Sequence, residues 1–175
     1  MDDQDNATTA TGGETPQPNG ADTAPAAGMI SQYVKDLSFE NPNAPSIYQK
    51  TNAPQIDVQF NIGATQVNEE IHEVVLKIDV KAEVEGTVAF VVDLSYGGLF
   101  GLRNVPDEAI QPFLLGEAPR LLFPFARRIV ADAIRDGGFP PLMLEPIDFN
   151  GLYIQQAASR AQDGEPTSIE GVGNA

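Results

Sequence analysis

The chain has 175 residues, 42% of them hydrophobic, no cysteine, and a formal net charge of -15 from 25 acids against 10 bases. That length and apolar content suffice for one sizeable core, while the missing cysteines exclude a disulfide framework, a thiolate nucleophile and thiolate metal sites. The charge disfavours nucleic acid and anionic membrane surfaces, whose phosphates call for Lys and Arg, and favours solubility and basic partners.

Residues 1–28 hold Asp2, Asp3, Asp5, Glu14 and Asp22, no Lys or Arg, and otherwise mostly small and polar residues. Such a segment buries too little to fold and is expected to be a disordered acidic tail. It has neither a basic start nor an apolar signal region, and no stretch of the chain has the apolar length of a membrane span, so a soluble cytoplasmic protein is expected. A single domain is expected over 29–158, followed by a second disordered tail at 159–175, where Asp163, Gly164, Glu165, Pro166, Gly171 and Gly173 cluster. Within 29–158 there are 17 acids and 9 bases, so the domain itself is acidic.

In chain order, Leu37 and Phe39 alternate with Asp36, Ser38 and Glu40 in a first short strand that Asn41-Pro42-Asn43-Ala44-Pro45 ends. Ile56, Val58, Phe60 and Ile62 alternate with Asp57, Gln59 and Asn61 in a second. After a polar turn at Asn68-Glu69-Glu70, Val74 to Val84 alternate in a third strand, and Glu85-Gly86 supply a tight turn into a fourth from Val88 to Tyr96. Gly97-Gly98-Leu99-Phe100-Gly101 reads as a flexible turn closing that strand. The period then becomes helical: Leu121, Leu122, Phe125, Ile129, Val130 and Ala133 predict a helix from Pro119 to Asp136, stopped by Gly137-Gly138 and with Pro124 near its first turn. Ile147 to Ala158 predicts a shorter helix. The expected fold is α+β: a four-stranded antiparallel meander with the long helix and the shorter C-terminal helix on one side. The long helix is apolar over more than one stripe, which predicts self-association.

Little in the chain supports catalysis. His72, the one histidine, stands among Glu69, Glu70 and Glu73 and reads as a solvated turn residue. There is no Gly-x-Ser-x-Gly elbow, and Gly97–Gly101 lacks the spacing and the following Lys-Ser or Lys-Thr of a phosphate loop. Asp57, Asp79, Glu83 and Glu85 fall on outer strand faces, where charge is normally solvated. A small enzyme working through paired carboxylates stays as the alternative class, and binding is the preferred one. Asp36, Ser38 and Glu40 with Val91 and Asp93 form an acidic outward face containing an apolar residue, by itself more often an ordinary edge of an acidic protein but also suited to a basic peptide.

Tyr33-Val34-Lys35-Asp36-Leu37-Ser38-Phe39-Glu40-Asn41-Pro42-Asn43-Ala44-Pro45 resembles the opening signature of the SecB family of export chaperones. Tyr48-Gln49, Gly97-Gly98-Leu99-Phe100, Leu122-Phe123-Pro124-Phe125-Ala126-Arg127, Phe139-Pro140-Pro141-Leu142 and Pro146-Ile147-Asp148-Phe149 follow in the order of that family. The resemblance implies a non-enzymatic holdase that keeps secretory precursors unfolded and delivers them to the motor SecA. It also implies a homotetramer built as a dimer of dimers whose long helices meet, with no cofactor; the zinc of that system belongs to a basic tail of SecA. The family's SecA-facing positions fall on Asp36, Glu40, Val91 and Asp93, the last two standing where the family pattern suggests a larger aliphatic residue and a Glu. Client contacts are placed, by the same resemblance, on Phe39, Tyr48, Ile56, Val58, Phe60, Leu99, Phe100 and Tyr153, with Gly97 and Gly98 letting a loop move over the client. A SecB-like holdase serving a non-export client, such as an antitoxin, is the alternative within binding proteins.

Overall fold

The computed structural model describes residues 23–163 and 169–173. Four strands, β1 (Ala26–Glu40), β2 (Gln55–Gln66), β3 (Ile71–Val84) and β4 (Thr87–Arg103), precede a helical half of α1 (Asp107–Pro112), a π turn (Phe113–Glu117), α2 (Ala118–Asp136) and α3 (Phe149–Asp163); β5 (Ile169–Gly173) follows. The sheet is antiparallel throughout in the order β1-β4-β3-β2-β5. The expected four-stranded α+β arrangement is present, with β1 beside β4.

Alternation drives the layer. Val58, Phe60 and Ile62 of β2, Val74 to Val84 of β3, and Phe90 to Leu102 of β4 point alternate side chains to one face, where Leu122, Phe123, Ala126, Val130 and Ile134 of α2 cover them. The opposite face carries Asp57, Lys77, Asp79, Lys81 and Asp93 and meets water, so one face is core and the other surface. Local chemistry agrees: Asn68 Oδ1 accepts from the amides of Glu70 and Ile71 at 3.0 and 2.9 Å, and Glu85 and Gly86, both with positive φ (52° and 74°), turn β3 into β4.

Several expectations are corrected. β4 does not end at Tyr96: Gly97 and Gly98 continue it, paired with Tyr33 and Gln32 of β1 on one side and Val75 and Val74 of β3 on the other. They are glycines because of close packing; a Cβ on Gly97 would come within 2.7 Å of the Tyr33 ring and one on Gly98 within 2.8 Å of Leu122. No loop exists there to move over a client. The helix expected over Pro119–Asp136 is α2, but α1 and the π turn, which were not expected, lead into it from Asp107; Pro112 and Gly116 interrupt the periodicity there. Pro124 therefore lies inside the helix, on its exposed side. His72 is buried on the covered face of β3, not solvated. At the ends, β1 starts at Ala26, α3 runs on to Asp163, and β5 pairs with β2, so regular structure reaches into both stretches expected to be tails; residues 1–22 lie outside the described residues.

Candidate functional site

Two surfaces stand out. One is apolar and lies where the β1–β2 connection meets the chain leaving α2. The short helical turn Ser46–Gln49 buries Ile47 and leaves Tyr48 half-exposed. The Tyr48 hydroxyl donates to the Gly137 carbonyl at 2.7 Å and accepts from Asn41 Nδ2 at 2.6 Å, tying the connection to the end of α2. Asn43 Nδ2 donates to the Val88 carbonyl at 2.9 Å and fastens the same connection to β4. The helix stops at Gly137-Gly138; Gly138 takes φ +85°, open to glycine without strain, and at Gly137 a Cβ would collide with the Phe39 ring.

Four aromatic rings link core to surface across this junction. Phe39 stacks on Phe90 at 6.2 Å between centroids, Phe90 meets Phe139 at 4.9 Å, and Phe139 meets Tyr48 at 5.4 Å. Beside them opens a pocket of about 500 Å³ whose wall includes Tyr48, Ile56, Phe90, Phe139, Pro140 and Leu142. Pro140 and Pro141 carry no amide hydrogen, so this wall offers apolar contact with few fixed hydrogen bonds. Lys50, paired with Glu85 at 3.1 Å, stands at its rim.

The sequence-predicted client residues divide on this geometry. Tyr48 and Ile56 line the pocket and Phe39 supports it from behind. Val58, Phe60 and Phe100 do not: they are 1%, 4% and 0% exposed and belong to the core, Phe100 meeting Phe113 edge-on at 5.9 Å. Gly97 and Gly98 are closed in between strands, and Leu99 points to the opposite face of the sheet from Phe100, half-buried between Ser31 and Glu73 in register. Tyr153 packs half-buried on α3 against the core and is absent from the pocket wall. Phe90, Phe139, Pro140 and Leu142 were not among the predicted contacts, although the Phe139–Leu142 stretch carried part of the resemblance.

The second surface is the polar face of the sheet. Glu40, Val91 and Lys81 form one cross-strand row, Ser38, Asp93 and Asp79 the next, and Asp36, Ser95 and Lys77 the third. Asp36, Glu40, Val91 and Asp93 thus share one face within three rows, as expected. The patch is not purely acidic: Lys77 reaches Asp93 at 3.3 Å and Asp79 at 3.7 Å. Asp79 and Asp93 hold the Lys77 ammonium above its ordinary value, and burial followed by repulsion from Asp93 pushes the Asp79 carboxyl up. Further along the face, Glu73 accepts from the Tyr33 hydroxyl at 2.6 Å and pairs with Lys35 at 2.7 Å.

That cluster yields a titration. Donation to Glu73, then burial, pushes Tyr33 from 10.0 up to about 12, while Lys35 and then Tyr33 hold Glu73 below its ordinary value. Tyr33 therefore adds stability that is fully present below pH 10.0 and lost as pH rises through about 12. Glu73 adds stability present above its ordinary value and lost as pH falls through its lowered one. NMR titration of the tyrosine ring carbons is expected to find Tyr33 ionising near 12, and Glu73→Gln to bring it back toward 10.0; an unchanged midpoint in the variant would refute the assignment.

The model of the family described as "Preprotein translocase subunit SecB" matches residues 20–160. The chain belongs to the SecB family. It is 64% identical over 155 residues to the protein-export protein SecB of Sphingopyxis alaskensis, covering 87% of this chain and 90% of that protein. To the SecB of Novosphingobium aromaticivorans it is 62% identical over 152 residues, covering 87% and 88%. Among solved structures, the SecB-like chaperone of Mycobacterium tuberculosis, in complex with a ChAD peptide from the HigA1 antitoxin, superposes with TM-score 0.59 over 69% of this chain and 90% of that one, at 16% identity. That likeness establishes the SecB fold alone. Among the described residues no cluster of His, Asp or Glu is placed to hold a metal ion, and no helix is long and apolar enough to cross a membrane.

Proposed function

We propose that this SecB-family chain is a cytoplasmic export chaperone that binds unfolded secretory precursors in the aromatic-walled pocket and delivers them to SecA. The observation that carries the reading is the pocket itself: an open apolar cleft on rigid supports, in a chain matched by the SecB family over residues 20–160. A holdase must accept many sequences, so its affinity has to come from apolar burial without a fixed hydrogen-bond pattern, and rings beside prolines offer that. Repeated weak contacts along one client supply strength while each stays reversible. This is binding without bond chemistry, and the energy for release belongs to the motor.

Self-assembly multiplies the pockets. Met29, Val34 and Leu37 of β1 and Phe125 of α2 are large apolar residues left 38% to 46% exposed, and Leu121, Phe125 and Ile129 form a second apolar stripe along α2. Burying these surfaces between copies accounts for a homotetramer assembled as a dimer of dimers. The acidic charge keeps such an apolar-rich assembly from aggregating with itself.

SecA docking is assigned to Asp36, Glu40, Val91 and Asp93 on the polar face. Asp36→Lys with Asp93→Asn is expected to weaken SecA binding by about tenfold and to leave assembly and precursor capture intact, because a surface pair such as Lys77–Asp93 contributes little to stability. Surface plasmon resonance with light scattering checks both. Equal loss of docking, assembly and precursor capture would make the patch structural, and a parent chain that captures precursors without binding SecA would favour a holdase serving another client.

A further inference from the structure

Tyr48 is the outermost ring of a column that runs into the core, through Phe139 at 5.4 Å and from there to Phe90 at 4.9 Å. The backbone that carries it is fixed. Ile47 beside it is buried, the Ile47 amide donates to the Asn43 carbonyl at 2.9 Å, and Asn43 Nδ2 holds the Val88 carbonyl of β4. With the backbone anchored and the ring half-exposed, the Tyr48 side chain is the part of the pocket wall that can turn.

Its hydroxyl restrains it. That oxygen donates to the Gly137 carbonyl and accepts from Asn41 Nδ2, and the same Nδ2 lies 3.5 Å from the Gly137 carbonyl, so three residues from distant parts of the chain meet in one small network. Gly137 ends α2, and carbonyls of a last helical turn lack intrahelical donors and sit at the negative end of the helix dipole, which draws a hydroxyl there. Gly138 keeps the place open, since a Cβ on it would stand 3.2 Å from the Tyr48 hydroxyl. The two bonds to the hydroxyl are exposed, so each is individually weak, yet together they hold one rotamer of a ring that would otherwise sample several.

We infer that Asn41, Tyr48 and Gly137 form a latch that sets which client side chains the pocket accepts. Latched, the Tyr48 ring covers Phe139 and leaves a narrow apolar wall suited to aliphatic side chains. Unlatched, the ring turns about its Cα–Cβ bond, uncovers Phe139, and an aromatic side chain of the client takes the vacated stacking position. The inference rests on the holdase reading and adds a selectivity to its pocket. A latch closed about nine-tenths of the time makes a client that needs it open bind about tenfold more weakly than the open pocket would allow.

The test uses the full-length chain and two unfolded peptides of equal length, alike except that one carries Phe where the other carries Leu, labelled for fluorescence anisotropy. Tyr48→Phe keeps the ring and removes both bonds of the hydroxyl, and the affinity of the Phe peptide relative to the Leu peptide should rise about threefold to tenfold. Asn41→Ala removes one bond together with Asn41 Oδ1, a buried acceptor that has no partner among the described residues, so the fold should tolerate it. In that variant the Phe peptide should gain about twofold to threefold and the Leu peptide should bind as it does to the parent. NMR side-chain couplings should report a single Tyr48 rotamer in the parent and averaging in Asn41→Ala. A Phe-to-Leu affinity ratio that stays at the parent value or falls in both variants would overturn the inference and leave the holdase reading standing. A parent chain that binds neither peptide, nor a denatured secretory precursor, would overturn the reading and the inference together.

Discussion

Phe100→Ala is expected to destabilise the protein by about 3–5 kcal/mol and to leave the affinity of the folded molecule for precursors unchanged. Phe100 is 0% exposed, sits on the covered face of β4 in register with His72 and Met29, and meets Phe113 edge-on. Truncation leaves a cavity between the sheet and the π turn, and strands held on both sides cannot collapse to fill it. Denaturant titration measures the stability, and anisotropy on the fraction folded at low denaturant measures the affinity. A loss of affinity with stability retained would place Phe100 in the binding surface, contrary to its burial.

Tyr48→Ala with Phe139→Ala has the opposite signature. Both rings line the pocket and neither is fully buried, so their removal takes apolar contact from the client more than from the core. Losing about 2 kcal/mol of apolar burial corresponds to about a thirtyfold weaker complex. The lost Tyr48 hydrogen bond to Gly137 is exposed and contributes modestly. Circular dichroism and light scattering should show the fold and assembly kept. Undiminished precursor affinity would move the client site elsewhere.

The contrast between these two variants marks where the sequence was informative. β2, β3 and most of β4 were legible because one face is covered by α2 and the other is wet, so burial and period coincide. β1 was legible only at its end: irregularities between Met29 and Ser31 and between Val34 and Asp36 shift the parity of its side chains, and the alternation breaks where they occur. Gly97-Gly98 carried a local turn signal that tertiary packing overrides, the Tyr33 ring and Leu122 filling the space the missing side chains leave. Pro112 and Gly116 hid the first turns of the helical half.

The polar face was readable because outward positions follow from period alone, which grouped Asp36, Glu40, Val91 and Asp93 correctly. Its electrostatics were not, since the proximity of Lys77 depends on the register between β3 and β4. The pocket was half-readable. Alternation cannot separate Ile56, at the end of the covered face, from Val58 and Phe60 farther in, and Phe139–Leu142 follows no period at all. β5 left no trace, its glycines arguing against the strand it forms.

The most direct measurement of the central claim is light scattering from a denatured, slow-folding secretory precursor diluted into stoichiometric purified protein without nucleotide. Suppressed aggregation, lost in the Tyr48→Ala and Phe139→Ala double variant, is the predicted result. Aggregation as fast as in buffer, from protein shown to be folded, would contradict it.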